Sequence, residues 1–181
     1  MLTHVFNLSL SSGVFPETWK QAKVVPLLKR DCPMTPSNFR PVSQLSPMSR
    51  ALEKIAFLQL MKYLTDNRLL HPNHHGGRPG HNTATALVQM VDQWAEEVER
   101  GKIVGLMMTD QSSAYDMVSF SIMKSKLALF GLSGRALEWV DSFMRGRTQV
   151  TCVDGKVSLA LELEQGVTQG SSLSPLLYIS S

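Results

Sequence analysis

The chain has 181 residues, 43% of them hydrophobic, and a formal net charge of +3, so it can bury the core of one domain or of two small ones. No apolar run approaches the roughly 18 residues that span a bilayer, and the N-terminal residues lack the basic start of a signal peptide, which predicts an intracellular protein. Cys32 and Cys152 lie far apart without metal-ligand spacing, so we expect two reduced thiols rather than a disulfide framework or a zinc site.

The excess positive charge lies in the first forty residues, which hold five lysines or arginines and two acidic residues. A basic segment of this kind suits a phosphate-bearing partner, and a solvated surface is the alternative. Within it, residues 19–31 contain β-branched residues around Pro26. Because proline donates no hydrogen bond to a sheet, this pattern predicts an edge strand.

Two amphipathic helices are predicted after this strand. Apolar residues recur at spacings of three and four from Pro47 onward, and again over residues 83–100. The expected apolar faces are Met48, Leu52, Ile55, Leu58 and Met61 in the first helix, and Ala84, Leu87, Val91, Trp94 and Val98 in the second. The loop between them, residues 71–82, contains four histidines, but no cysteine or carboxylate pattern accompanies them, so we predict a loop without zinc.

A short apolar strand is predicted at residues 103–109, and Asp110 follows it directly. Asp116 comes six residues later, after an Ala-Tyr pair. An aspartate at the end of a strand is a common way to hold a metal ion, and it is equally a common way to end a strand. The pattern leaves both interpretations open, because one carboxylate does not make a two-metal site.

Two further helices and a hairpin are predicted next. The first helix covers residues 119–130 with Gly131 as its C-terminal cap, and Ser133 is the expected N-cap of the second. The apolar face of the second helix is Leu137, Val140, Phe143 and Met144. Residues 148–164 predict a hairpin around a tight turn at Asp154-Gly155. Because its return strand alternates apolar with polar or small residues, we expect one face of Val157, Leu159, Leu161 and Leu163 to be buried.

The stretch "GVTQGSSLSPLLY", residues 166–178, carries two glycines and then an apolar run typical of a helix start. Such loops let backbone amides approach a phosphate, a base or another strand closely. The stretch resembles the "GVPQGS-x-LSP-x-LF" loop of reverse transcriptases, and "TDQSSAYDMV" resembles their "LD-x-x-x-AFD-x-V" metal-binding strand.

Three more segments are similar to motifs of the same family, in the same order. "SNFRPVSQLSPMSRALEK" resembles "NYRPISLL…K-x-x-EK", "HHGGRPGHNT" resembles "QHGFR-x-G-x-ST", and residues 11–31 fit the fingers segment before them. Together the five segments cover nearly the whole chain and are specific to the polymerases of LINE-like, non-long-terminal-repeat retrotransposons. The resemblance implies a mixed α/β, right-hand polymerase fold, with the fingers in residues 1–102 and part of the palm in residues 103–181.

The resemblance also implies a metal and sugar site around the two aspartates. Asp110 matches the first metal aspartate of the family, and the backbone carbonyl of Gln111 matches the oxygen that completes the site. Tyr115 matches the aromatic residue that lies under the incoming sugar and excludes a 2′-hydroxyl. Asp116 matches an aspartate that is not a metal ligand in this family, so a structural role is implied.

Nucleotide contacts are implied for four other residues. Gln169 and Gly170 match the loop that packs against the nascent base pair and template, where a missing Cβ lets the nucleotide come close. Lys29 and Arg40 match positions in the fingers where basic side chains approach the triphosphate, and a solvated surface charge is the alternative for both.

Three departures from the family pattern bear on these expectations. Thr168 stands where the family usually has proline, so the loop loses a fixed φ. Gly77 replaces the usual phenylalanine, which removes an aromatic anchor. The sequence reaches residue 181 before the family's "Y/F-x-D-D" hairpin, so we expect this segment to be inactive by itself.

The implied activity is that of an RNA-directed DNA polymerase, which adds deoxynucleotides to a primer 3′ end by two-metal phosphoryl transfer with Mg²⁺. The implied partners are an RNA template, a DNA primer and deoxynucleoside triphosphates. One alternative is a catalytically dead remnant that acts as an RNA-binding or interaction module. The other is a fragment of a group II intron maturase-like relative.

Overall fold

A computed structural model describes residues 1–29, 35–111 and 113–179. Its elements are α1 (Leu2–Ser12), β1 (Gln21–Leu28), β2 (Phe39–Gln44), α2 (Pro47–Asp66), α3 (Thr83–Glu99), α4 (Phe120–Leu129), α5 (Gly134–Met144), β3 (Thr148–Val153), β4 (Lys156–Val157), β5 (Leu161–Glu162) and α6 (Ser174–Ile179). The predicted mixed α/β class is confirmed. None of the described helices is long and apolar enough to cross a membrane. Cys32 lies outside the described residues.

The strands form one five-stranded sheet with the order β2-β1-β3-β4, and β5 also pairs with β3. β1 runs antiparallel to β2 and parallel to β3, so the predicted edge strand is wrong and β1 lies inside the sheet. Pro26 is tolerated there because the pairing with β3 ends at Val24, and Pro26 faces only Pro41 of β2. At that position β1 has a neighbour on one side only, which is where a sheet accepts proline.

The hydrophobic core lies where α2, α4, α5 and α6 meet. Phe15 is at its centre and makes edge-to-face contacts with Trp19, Trp139 and Phe143, whose ring centroids lie 5.1 to 6.3 Å away. Such pairs add to the stabilisation from apolar burial. The buried residues of the cluster are Phe15, Leu52, Leu60, Met61, Leu64, Val118, Phe120, Met123, Leu127, Leu132, Trp139, Val140, Phe143, Met144, Val167, Leu173, Leu176 and Leu177.

The buried face of α2 differs from the predicted one. Leu52 and Met61 are buried as expected, but Leu58 is 55% exposed. Other residues take up the remaining buried positions, namely Ser49, Glu53, Leu60 and Leu64. Apolar spacing did not predict this face because two of its residues, Ser49 and Glu53, are polar. They hydrogen-bond to each other, and Glu53 also binds the loop at residues 171–172.

Helix α3 forms almost over the predicted range, but its predicted apolar face is uncovered. Asn82 and Thr85 cap it reciprocally, since each backbone N–H donates to the other's side chain at 2.9 Å. No residue of α3 is buried, and Leu87, Val91 and Val98 are all more than half exposed. Local capping therefore defines this helix, while no described element packs over its apolar side.

The strand predicted at residues 103–109 is wrong, because this segment pairs with none of the described strands. Ile103 is 100% exposed and Met107 is 86% exposed. An extended segment becomes a strand only when a neighbour satisfies its backbone groups, and the described residues place no such neighbour beside it.

The hairpin turn is confirmed, but the buried face of its return strand is wrong. Asp154 and Gly155 both have positive φ, +49° and +76°, as the tight turn requires. The return strand is split into β4 and β5, and between them the Ser158 hydroxyl accepts the Thr151 N–H while Ser158 N–H donates to the Thr151 carbonyl. Leu159 is 88% exposed, since no described element covers this face.

The ends of α4 and α5 mostly follow the prediction. Gly131 has a φ of +89°, its N–H donates to the carbonyl of Ala128, and Leu132 N–H donates to Leu127, which is the expected glycine cap. Ser133 occupies the N-cap of α5, but its side chain makes no capping hydrogen bond. The predicted face of α5 is confirmed, with Val140, Phe143 and Met144 buried and Leu137 partly buried.

Candidate functional site

One cavity of about 790 Å³ collects every residue to which the motifs assign a contact. It opens between the C-terminal end of β1, the N-terminal end of β2, the segment after residue 109, and the start of α6. The residues in question are Lys29, Arg40, Asp110, Gln111, Tyr115, Gln169 and Gly170, and Asp116 also lines the cavity. They come from four separate stretches of chain, so their convergence depends on the fold, while their individual roles stay predictions.

The glycine loop, residues 166–172, is attached at its start to the segment that carries the aspartates. Gly166 N–H donates to the carbonyl of Val118 at 2.8 Å, and Val167 N–H donates to Tyr115 at 2.7 Å. Gly166 has a φ of +88°, and a Cβ on it would lie 3.0 Å from both Cα and O of Asp116. A side chain is therefore excluded here by conformation and by close packing of two backbones.

The middle of the glycine loop lies on β2. Ser43 N–H donates to the carbonyl of Gln169 at 2.8 Å. Gly170 has a φ of +115°, and a Cβ on it would lie 2.6 Å from the carbonyl oxygen of Ser43. The atom that excludes a side chain at Gly170 is thus part of the protein's own backbone.

Tyr115 stacks on an aromatic residue to which the motifs assign no role. Its ring stacks on that of Tyr178, with centroids 5.3 Å apart and an interplanar angle of 17°. The Tyr178 hydroxyl also donates to Oε1 of Gln111 at 2.9 Å. Burial, and to a smaller extent the neighbouring Tyr178, raises the pKa of Tyr115. The only sequence signal for Tyr178 is its place at the end of the glycine-loop motif.

Glu53 is a second residue that sequence reasoning missed. It is fully buried on α2, where its Oε1 accepts from the Ser49 hydroxyl at 2.6 Å. Its Oε2 accepts from the Ser171 hydroxyl at 2.6 Å and from Ser172 N–H at 3.0 Å. The available signal was an acidic residue inside an otherwise apolar helical pattern, next to Lys54 in the "EK" of the fingers motif.

The two basic residues, Lys29 and Arg40, lie at the same end of the β1–β2 pair. Arg40 on β2 lies opposite Leu27 of β1, and Lys29 N–H donates to the carbonyl of Asn38 at 2.7 Å. Both line the same cavity as Asp110 and Asp116. The lining of the cavity therefore contains both basic groups and carboxylates.

The oxygen atoms in the cavity fit part of a metal site. Hard divalent cations prefer carboxylate and carbonyl oxygens, which Asp110 and Gln111 offer. Within the described ranges, no three His, Cys, Asp or Glu side chains are grouped to hold a metal ion. Two ions need more carboxylates than these residues provide.

The histidines of the loop before α3 serve the local structure. Nδ1 of His75 lies 3.0 Å from the Thr85 hydroxyl and Nε2 lies 2.8 Å from Oε1 of Gln89. Both ring nitrogens of His75 thus bind side chains of the first turns of α3. The ring of His81 packs beside that of His75, with the centroids 5.1 Å apart.

Comparison with known proteins agrees with the motifs. A family profile described as reverse transcriptase (RNA-dependent DNA polymerase) matches residues 27–180. The chain is 27% identical over 179 residues to the probable RNA-directed DNA polymerase from transposon BS of Drosophila melanogaster, covering 98% of this chain and 20% of that protein. It is 29% identical over 178 residues to the RNA-directed DNA polymerase from mobile element jockey of Drosophila funebris, covering 98% and 19%.

A third relative is the retrovirus-related Pol polyprotein from type-1 retrotransposable element R2 of Popillia japonica, which is 26% identical over 173 residues, or 95% of this chain and 24% of that protein. The chain thus spans only about a fifth to a quarter of the length of these three relatives. The resemblance drawn from the five motifs is confirmed, and the chain belongs to the reverse transcriptase (RNA-dependent DNA polymerase) family.

Proposed function

We propose that this chain is the nucleotide-holding part of an RNA-directed DNA polymerase of a LINE-like retrotransposon. In this proposal residues 1–102 belong to the fingers and residues 103–181 to the palm of a right-hand polymerase. The parent protein adds deoxynucleotides to a DNA primer 3′ end on an RNA template. The observation that carries the proposal is the single cavity lined by all seven residues that the motifs single out.

The charges around the cavity suit a deoxynucleoside triphosphate. The volume of the cavity, about 790 Å³, lies within the range of roughly 300–1,000 Å³ common for small-molecule sites. Lys29 and Arg40 line the cavity and would bind the triphosphate, since a guanidinium is well shaped to bind phosphate oxygens. Asp110 also lines the cavity, and in this proposal the primer 3′-hydroxyl approaches its carboxylate.

Sugar selection is assigned to Tyr115. Stacking on Tyr178 fixes the plane of its ring, so the ring cannot turn aside without losing that contact. A rigid ring under the sugar would clash with a 2′-hydroxyl and would leave a deoxyribose unhindered. Discrimination of this kind is steric and needs no hydrogen bond from the tyrosine hydroxyl.

The metal ligands that we propose are limited to oxygen atoms that the described residues provide. Bound Mg²⁺ would activate the 3′-hydroxyl and neutralise the triphosphate and leaving group. Asp110 and the Gln111 carbonyl would be ligands of one ion. We propose that the "Y/F-x-D-D" hairpin of the parent polymerase supplies the further carboxylates that two ions require.

The alternatives gain no support. The transposon BS and jockey relatives, which each match along 98% of the chain, are named as RNA-directed DNA polymerases, which favours neither an interaction module nor an intron maturase fragment.

Primer extension with the full-length polymerase that contains this chain tests the proposal. Asp110→Asn should abolish extension on an RNA template, because an amide is a poor ligand for Mg²⁺. Asp66→Asn is the matched control, since Asp66 is an exposed carboxylate on α2 that pairs only with Lys62 in the described structure. Extension at the wild-type rate by Asp110→Asn would refute the assignment.

A further inference from the structure

A fully buried carboxylate on α2 binds the glycine loop, although the two are 118 residues apart in sequence. Burying a charged group is costly unless hydrogen bonds replace its hydration. Glu53 has three such bonds, one from Ser49 on its own helix and two from the glycine loop. All three partners donate, which matches the acceptor-only character of a carboxylate. A leucine here would accept none of these bonds and would leave the loop unattached on this side.

The hydroxyl that donates to Glu53 also organises the start of α6. The Ser171 oxygen accepts from the N–H groups of Leu173 and Ser174, each at 3.1 Å. The carboxylate, this hydroxyl and the first turn of α6 therefore form one connected chain of hydrogen bonds. α6 carries Tyr178, which stacks under Tyr115.

The attachments of the glycine loop lie on both sides of Gly170. On one side, the Gln169 carbonyl accepts from Ser43 of β2. On the other side, the two donors to Glu53 are Ser171 and Ser172. Gly170 lacks the Cβ that would restrict its conformation, so the anchors on either side must fix its position. Gln169 and Gly170 face the cavity between these anchors.

Glu53 also lies near the buried Arg147, and this affects the design of a test. Arg147 is 3% exposed, and its Nε donates to the carbonyl of Phe143 at 2.6 Å. Its two terminal nitrogens have no hydrogen-bond partner among the described residues. Burial lowers the pKa of Arg147 to about 10, and the negative charge of Glu53 acts in the opposite direction. Removing the charge of Glu53 would therefore disturb Arg147 as well as the loop. Ser171→Ala removes one of the two loop contacts, the hydroxyl bond, and keeps the charge of Glu53.

We infer that Glu53, acting through Ser171 and Ser172, is a positioning residue that fixes the glycine loop against the incoming nucleotide and thereby sets the affinity for deoxynucleoside triphosphate. This inference rests on the proposed function and names a determinant of the same site. Glu53 does not line the cavity, so its effect on the nucleotide is exerted through Gln169 and Gly170.

The test is single-nucleotide extension with the full-length polymerase, comparing wild type with Glu53→Gln and Ser171→Ala. Both variants should raise KM for the deoxynucleotide about tenfold, as loss of a charged hydrogen bond predicts. Leu64→Ala is the matched control, because Leu64 is fully buried on the same helix and lies outside this hydrogen-bond chain. It should lower the active fraction and leave KM unchanged. A wild-type KM in both test variants would overturn the inference.

Amide hydrogen exchange on the same proteins separates failure of the inference from failure of the proposed function. Absence of extension by the wild-type polymerase would refute the proposed function, and exchange would still measure the attachment of the loop. Glu53→Gln and Ser171→Ala should speed exchange selectively at residues 169–174, whereas Leu64→Ala should speed exchange in α2. Unchanged protection of the loop in both test variants would overturn the inference on its own.

Discussion

Gly170→Ala should destabilise the chain strongly. The effect should be far larger than that of the same substitution at a glycine that also has a positive φ but has open space around it. At a φ of +115° a side chain is strained, which costs about 1 kcal/mol. The new Cβ would lie 2.6 Å from the Ser43 carbonyl oxygen, and because both atoms are tied to backbone the loop must move, at about 2 kcal/mol. That movement also breaks the hydrogen bond from Ser43 to Gln169, worth about 1 kcal/mol.

The control for this prediction is Gly80→Ala. Gly80 has a φ of +76° and no heavy atom within 4 Å of the position of a Cβ, so its substitution carries the conformational cost alone, about 1 kcal/mol. Gly170→Ala should therefore lower the free energy of unfolding by about 4 kcal/mol, roughly 3 kcal/mol more than the control.

Urea unfolding of residues 1–181 in dilute solution, followed by tryptophan fluorescence, measures both values. Trp139 is buried in the core and reports on its loss. In a melting experiment the difference should appear as a Tm for Gly170→Ala about 6–12 °C below that of Gly80→Ala, at about 2–4 °C per kcal/mol. Equal destabilisation by the two substitutions would show that the close approach of Gly170 to β2 is not a constraint on the fold.

Further predictions concern the site itself. In the full-length polymerase, Tyr115→Val should raise ribonucleotide incorporation relative to deoxynucleotide, and unchanged sugar discrimination in single-nucleotide assays would contradict the assignment. If Lys29 and Arg40 face phosphate, RNA binding by the chain should weaken steeply between roughly 50 and 200 mM salt, and flat binding would indicate a solvated surface. Residues 1–181 alone should not extend a primer, because the described residues hold too few carboxylates for two ions, and extension by this segment would disprove that conclusion. Because the folded-state pKa of Tyr115 is raised above its ordinary value of 10.0, wild type should lose stability relative to Tyr115→Phe as pH rises above 10, which unfolding at two pH values measures.

Local patterns were sufficient where an element is determined by its own residues. The glycine cap at Gly131 and the turn at Asp154-Gly155 were predicted correctly because both depend on a positive φ that glycine tolerates. The extent of α3 was predicted within one residue, since its reciprocal cap lies within four residues of sequence. The convergence of the site residues followed from resemblance to a family, because no local pattern relates Arg40 to Gln169.

Predictions failed where the outcome depends on a distant partner. Residues 103–109 have the composition of a strand, but no described strand lies beside them. Spacing along α2 predicted an apolar face, whereas Glu53 is buried there with one donor on its own helix, Ser49, and two in the glycine loop, the nearer of them 118 residues away in sequence. Pro26 was assigned to an edge because the sequence does not reveal that β1 has two neighbours over only part of its length.

The glycines of the loop and Asp110 would be retained for different reasons in genomic copies of this element. Gly166 and Gly170 are required by backbone atoms of the protein itself, so a copy that still folds must keep them whether or not it copies nucleic acid. Asp110 is exposed and has no hydrogen bond or ion pair with the described residues, so its carboxylate makes no stabilising contact within that part of the chain. A copy released from selection for copying could change Asp110 without loss of stability. Among genomic copies, an intact glycine loop would therefore report selection for folding, and an intact Asp110 would report selection for the metal-binding role proposed for it.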